Sequence, residues 1–229
     1  MKVKDFYENW EIGCIPKYAK LLMNFEEELI FDIISNLDEF NRIKNKKEAL
    51  ILDCGCGFGS FYNLTKDLNT IYLDISFNLL KKFNIKTNKI CGDILNLPFK
   101  DNSFDLILCI NVLEHVDYKK ALSEMRRVLK KEGTCIIVVV NKNSIINEEL
   151  FTDWKIYHQP LDIKDFESIE GFYIAYWKTF YFVHPIFKIF PTKILGKFLK
   201  FFKKVDNKLA NTKMFKNKGQ FLICVLKVR

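Results

Sequence analysis

An α/β fold built on a doubly wound, mostly parallel sheet is what this sequence predicts, and three observations predict it. Residues 50–60, Leu-Ile-Leu-Asp-Cys-Gly-Cys-Gly-Phe-Gly-Ser, run from an apolar strand into glycine at every second position. A second short strand, 70–74, ends in Asp74, nineteen residues past Gly55. That is the interval at which nucleotide-binding βαβ units set a carboxylate on ribose hydroxyls. Residues 134–140, Thr-Cys-Ile-Ile-Val-Val-Val, form the unbroken apolar run that a strand buried on both faces requires.

The 229 residues fit one domain with accessory segments. Seven cysteines without paired spacing, most of them in or beside strands, read as small buried hydrophobes. Their odd number, with no signal peptide at the start, points to a reducing cytoplasm. Cys54-x-Cys56 lacks the companion pair that a zinc site needs. Formal charge is +8, from 36 basic against 28 acidic residues, with much of the excess after residue 176. A positive balance of this size suits nucleic acid, an anionic membrane surface or an anionic substrate.

In chain order, residues 1–23 carry Phe6, Tyr7, Trp10, Ile15, Tyr18, Leu21 and Leu22 among charges, with Pro16 interrupting, and read as a short aromatic helical flap. Residues 24–42 predict one helix: Asn24 as N-cap, three glutamates in the first turn, and Phe25, Leu29, Ile33, Leu37 and Phe40 at helical spacing. Strand 50–53 then delivers Asp53 to the sheet edge. Gly55, Gly57 and Gly59 let the backbone take positive φ and approach a ligand, and Ser60 is placed as the opening of a helix facing the same crevice. Ser76 caps a further helix to about Phe83, residues 89–92 form a third strand ending at Asp93, and 104–110 form a fourth. A helix over 117–131 ending at Gly133 precedes the buried strand 134–140. Two final strands, 172–183 and 220–228, flank an insertion.

Asp53 to Gly59 reads D-x-G-x-G-x-G, whereas dinucleotide folds use G-x-G-x-x-G to grip pyrophosphate. A carboxylate at Asp53 would repel a phosphate, so NAD is the weaker candidate. The pattern resembles the first motif of class I S-adenosylmethionine-dependent methyltransferases, of the small-molecule "type 11" kind. Gly92 to Asp105 is similar to that family's "GD…LPF…D.SFD" block, and Asn111-Val112-Leu113-Glu114-His115-Val116 to its "LEHV" stretch. Arg127 to Gly133 keeps only part of "RVLKPGG", and Tyr157-His158-Gln159-Pro160-Leu161 followed by Gly171-Phe172 resembles the family's "H…L…GF" passage. The resemblance covers about residues 45–180.

The resemblance implies a Rossmann-like seven-stranded sheet, mostly parallel, with a C-terminal antiparallel hairpin. It also implies S-adenosyl-L-methionine as cofactor. Asp53 and the loop Gly55, Cys56, Gly57 and Gly59 would hold the methionine end, Asp74 and Ile75 the ribose, Asp93 and Ile94 the adenine. Asn111 would line the sulfonium side. No (Asn/Asp)-Pro-Pro-(Tyr/Phe) clamp for a flipped base follows the fourth strand. His158 is the candidate general base and His115 a tie between its helix start and the sheet, with no metal expected. Four segments result: a helical lid (1–44), the cofactor-binding core (45–180), an amphipathic insertion (181–218) and the last strand (219–229).

Within the insertion, Ile194, Leu195, Phe198, Leu199, Phe201, Phe202 and Val205 fall within an arc of roughly 160° on a helical wheel. Lysines occupy the other side. The helix reads as a lid over the acceptor or as a peripheral membrane contact through 193–205. The sequence therefore predicts a cytoplasmic methyltransferase, with a membrane-peripheral position as the variant that the inserted helix allows, acting on a small molecule with an apolar or lipid-linked portion. RNA methylation and a catalytically silent S-adenosylmethionine-binding module are the alternatives, with nucleic acid the disfavoured partner.

Overall fold

The computed structural model describes residues 3–9, 17–146, 159–183 and 192–229, without the side chains of Lys17 and residues 192–197. Seven strands form one sheet: β1 Leu50–Cys54, β2 Asn69–Asp74, β3 Asn88–Cys91, β4 Phe104–Ile110, β5 Leu129–Val140, β6 Phe172–Phe180 and β7 Phe221–Val228. Their order is β3-β2-β1-β4-β5-β7-β6. The first five pair in parallel, and β7 runs antiparallel between β5 and β6, so the expected closing hairpin is present. β4 is buried along its whole length, as its apolar sequence requires.

The helices are α1 Val3–Glu8, α2 Lys17–Ser35, α3 Asp38–Lys44, α4 Tyr62–Thr65, α5 Phe77–Lys82, α6 Tyr118–Val128, α7 Ile163–Glu167 and α8 Thr192–Ala210. One face of the sheet packs on α2, α3 and α8, through Phe25, Ile30, Ile34, Phe40 and Phe202. The other packs on α6 and α7, through Leu122, Met125, Ile163 and Phe166.

Several boundaries differ from expectation. The single helix over 24–42 is two. Asn24 lies exposed inside α2 rather than capping it, and the break comes at Asn36-Leu37. There the Asn36 amide donates to the Asp32 carbonyl at 2.7 Å, competing with the helical ladder, and Leu37 is extended. The helix placed at Ser60 starts at Tyr62 and is one turn long, because Gly59, at φ +88°, prolongs the turn. The helix over 117–131 stops at Val128, where Leu129 joins β5 opposite Phe104. Lys130 then reaches Asp105 at 2.6 Å. Cys91 is exposed on the edge strand, whereas Cys54, Cys56, Cys109, Cys135 and Cys224 are buried.

β6 ends at Phe180 rather than 183, since Tyr181 takes φ +69°. Asp206, buried on α8, accepts hydrogen bonds there from the backbone N–H of Tyr181 (2.9 Å) and of Phe182. Lys203 of the same helix pairs with Glu28 and Asp32 of α2, at 2.8 and 2.9 Å. Polar contacts thus dock the accessory helix, and this lysine turns toward α2 rather than toward solvent or lipid.

Candidate functional site

Parallel strands leave their carboxyl ends on one edge of a sheet, and a doubly wound order opens a crevice where the winding reverses. Here that point lies between β1 and β4, and a cavity of about 1040 Å³ occupies it. Asp53, Gly55, Cys56, Gly57, Asp74, Ile75, Asp93, Ile94 and Asn111, all expected site residues, line it together. Gly59 does not. A Cβ there would sit 2.6 Å from the Phe83 ring, so this glycine serves the packing of α5 behind the loop. His158 lies outside the described residues.

The glycine loop is held by its neighbours. Gly55 and Cys56 donate backbone N–H bonds to the Leu73 carbonyl at 2.7 and 3.0 Å. Gly55 stands at φ +83°, and a Cβ on it would meet Val112 at 2.2 Å, so the loop and the turn after β4 close on each other only without a side chain. Asp74 accepts from Gly57 N–H and Ser76 N–H, both at 2.8 Å. One carboxylate therefore ties the loop after β1 to the start of α5, whose cap is Ser76 as expected. Asp93 accepts from Leu95 N–H at 2.9 Å with one of its oxygens.

Asp53 is 3% exposed and receives no hydrogen bond from the described residues. Burial, with Asp74 alongside, pushes its carboxyl up to about 7. A buried carboxylate without a donor asks for a cationic or hydrogen-bonding ligand. S-adenosylmethionine has both an ammonium and a sulfonium and no phosphate, so this donor set fits it and rejects a dinucleotide.

Apart from Asn111, the other end of the cavity is built from residues that carry no local mark in the sequence. α1 and α2 form its roof: Tyr7, Met23, Glu26 and Glu27 face inward, with Lys4 exposed at the rim. Glu26 accepts from the Asn111 amide at 2.7 Å, and Glu27 is bonded by Ser60. Burial, opposed by the Asn111 bond, pushes Glu26 up to about 8. Glu114 is 1% exposed and burial raises its carboxyl to about 7. His115 corrects the sequence reading. Its ring Nε2 shares a 2.9 Å hydrogen bond with the Tyr7 hydroxyl, so it ties the roof to the sheet edge and lines the cavity. Burial, with Glu114 and Asp74 nearby, holds the Tyr7 hydroxyl protonated far above the ordinary range.

Glu8 closes the outer end of the roof, accepting from the Ser76 hydroxyl at 2.8 Å. Of the expected 1–23 flap, Val3–Glu8 is helical and lies over the crevice, residues 17–23 belong to α2, and Trp10, Ile15 and Pro16 lie outside the described residues. No described residue of α8 lines the cavity.

Comparison with known proteins gives a consistent picture. A family model described as a methyltransferase domain matches residues 52–137. An uncharacterized protein of Methanocaldococcus jannaschii is 63% identical over 222 residues, covering 97% of this chain and 96% of that one. The tRNA (carboxymethyluridine(34)-5-O)-methyltransferase of Arabidopsis thaliana is 35% identical over 128 residues, 54% of this chain and 30% of that enzyme. With several other curated relatives the match likewise spans about half of their length or less. Among solved structures, the magnesium protoporphyrin IX methyltransferase of Synechocystis, with S-adenosylmethionine bound, superposes with a TM-score of 0.62 at 13% identity, over 99% of this chain and 95% of that one. At that identity the likeness speaks for the fold.

Proposed function

This chain belongs to the class I S-adenosylmethionine-dependent methyltransferases, and on that premise we propose that it methylates a small molecule held between the cofactor and the roof. One observation carries the proposal. The cavity continues from the cofactor end, past Asn111, under α1 and α2 to the ends of β5 and β7. A volume of about 1040 Å³ is at the upper end of small-ligand sites, enough for a nucleoside and a second compact molecule. Met23, Val116, Val140, Ile146 and Phe221 on its walls favour an acceptor with an apolar portion.

The bound cofactor supplies an activated methyl group, and the chain supplies position and dryness. Asp53 would hold the ammonium of its methionine end, with the backbone of Gly55, Cys56 and Gly57 beside it. Asp74 and Ile75 would take the ribose, Asp93 and Ile94 the adenine. Asn111 would stand at the sulfonium side. The roof excludes water and holds the acceptor in line, which is where most of the rate in such a transfer originates.

The test is transfer of label from radioactive S-adenosylmethionine into a cell extract split into small-molecule, RNA and protein fractions. Label in the small-molecule fraction is expected; label in RNA alone overturns the proposal. The tRNA-methyltransferase relatives motivate that second reading, and filter binding of tRNA across a salt series addresses it directly. Phe198 and Phe201, 50% and 58% exposed, project from α8 beside Lys200 and Lys204, and they favour a peripheral contact with an anionic membrane. Co-sedimentation with anionic but not neutral vesicles is expected. Among the described residues, no helix is long and apolar enough to cross a bilayer.

A further inference from the structure

Resting on the methyltransferase reading above, we propose that the acceptor is a nitrogen base, an amine bound as its ammonium form against Glu26, Asn111 and Glu114. The direction of the crevice sets where this group must lie. Asp53, Asp74 and Asp93 follow the sheet edge from β1 toward β3, so the cofactor's nucleoside runs that way. What is left lies on the opposite side of β1, at the ends of β4, β5 and β7.

Three residues on that side line the cavity and each carries a buried oxygen with no hydrogen-bond partner among the described residues: Asn111 Oδ1, Glu114 Oε2 and Gln220 Oε1. All three are acceptors. Asn111 already uses its amide N–H on Glu26, so its oxygen is what it offers a ligand. Glu114 is fixed from behind. Its Oε1 accepts from Val140 N–H at 3.4 Å and its carbonyl from Gln159 N–H at 2.8 Å, which leaves Oε2 without a partner among the described residues. A buried oxygen left unpaired costs about 1–3 kcal/mol, so a ligand bearing several N–H donors is what this wall lacks. Sign agrees with donor count. Glu26, Glu27 and Glu114 face the interior, while the described lining lysines, Lys4 and Lys142, are exposed at the rim. Among the described residues an anionic acceptor would meet these carboxylates with lysines only at the rim; an ammonium meets groups that carry the opposite charge.

The same groups balance the transfer. The acceptor ammonium gives one proton to Glu114 Oε2. Its freed lone pair forms the N–C bond to the methyl carbon as the C–S bond breaks, with that electron pair left on sulfur. The product leaves as a methylated ammonium, and Glu114 returns the proton to water. Burial keeps the carboxyl near the range where accepting and releasing a proton are both easy.

Sinefungin tests this directly, because it carries an ammonium where the cofactor has its methylsulfonium. Calorimetry would compare it with S-adenosylhomocysteine, which has neither, on wild type, Glu114→Gln and Glu26→Gln, each first shown to be folded by circular dichroism. Wild type should bind sinefungin about tenfold more tightly than S-adenosylhomocysteine. Each variant should cut that ratio at least threefold while keeping its affinity for S-adenosylhomocysteine within about twofold. An unchanged ratio in both variants overturns the amine proposal and leaves the methyltransferase reading standing. Failure of wild type to bind either ligand overturns that reading, and this inference with it. The labelled product supplies a second measurement: it should be retained by a cation exchanger at neutral pH and release no methanol in base. An anionic or base-labile product overturns the amine.

Discussion

The cofactor end and the acceptor end of this cavity are built by different means. From Asp53 to Ile94 the chain makes three successive strand-to-loop turns, and each deposits its residue on the same edge of the sheet. Backbone does most of the holding: glycine conformations, N–H groups on Leu73 and the carboxylate of Asp74. The acceptor end collects Tyr7 from α1, Glu26 from α2, Asn111 and Glu114 after β4, and Gln220 ahead of β7. There the holding is between side chains far apart in sequence. Damage at the first end should therefore act on the cofactor, and damage at the second should spare it.

Gly55→Ala should give the largest effect. The new Cβ lands on Val112, and the position already stands at φ +83°. Strain of this type costs about 1–3 kcal/mol, so cofactor affinity should fall on the order of a hundredfold. Adding Val112→Ala relieves the clash but not the dihedral, so only part should return in calorimetry with S-adenosylhomocysteine. Full recovery would show that contact, rather than conformation, selects the glycine. Asp74→Asn comes next. An amide nitrogen would face one of the two N–H donors that Asp74 now accepts, and affinity for the same ligand should drop roughly tenfold.

Tyr7→Phe belongs to the other end. It removes the 2.9 Å bond to His115 without changing ring volume, loosening the roof by about 1 kcal/mol. Hydrogen exchange along α1 should quicken several-fold and the acceptor KM should rise, while S-adenosylhomocysteine binds as before. A parallel loss of cofactor affinity would mean that the two ends are one mechanical unit.

The same contrast explains what could be read from sequence. Asp53, Asp74 and Asp93 stand at strand ends, where an apolar run followed by an acid or glycine is a local signal. Glu26 carries no such mark. It lies in a run of three glutamates that resembles the acidic first turn of a helix, and only the start of α2 at Lys17 turns it inward beside Asn111. His115 read as a local tie because its partner, Tyr7, is at the far end of the chain. Gly59 was legible as a glycine that must be glycine, but whether ligand or Phe83 demands it is a tertiary fact. On α8 the apolar arc was visible, whereas Asp206, which anchors the helix to the end of β6, interrupts that pattern and carried no periodic signal.

The smallest effect separates the two ends by charge. Glu26, near 8, and Asp53 and Glu114, near 7, are each raised above an ordinary carboxyl. Between about pH 5 and 8 the folded protein holds protons that the unfolded chain has released, so stability is highest toward pH 5 and falls as pH rises through 7 and 8. Glu26 faces Glu27, Glu114 and the Asn111 amide and is only half-buried, so its share is modest. Glu26→Gln should flatten the slope and raise the melting temperature at pH 8 by about 3 °C, with little change at pH 5. In the proposed placement S-adenosylhomocysteine would set its ammonium at Asp53 and reach neither Glu26 nor Glu114. It should therefore remove part of the wild-type slope and leave the remainder to the acceptor end. If the ligand abolished the whole slope, the two groups of carboxyls would be titrating as one, and the division between them would not hold.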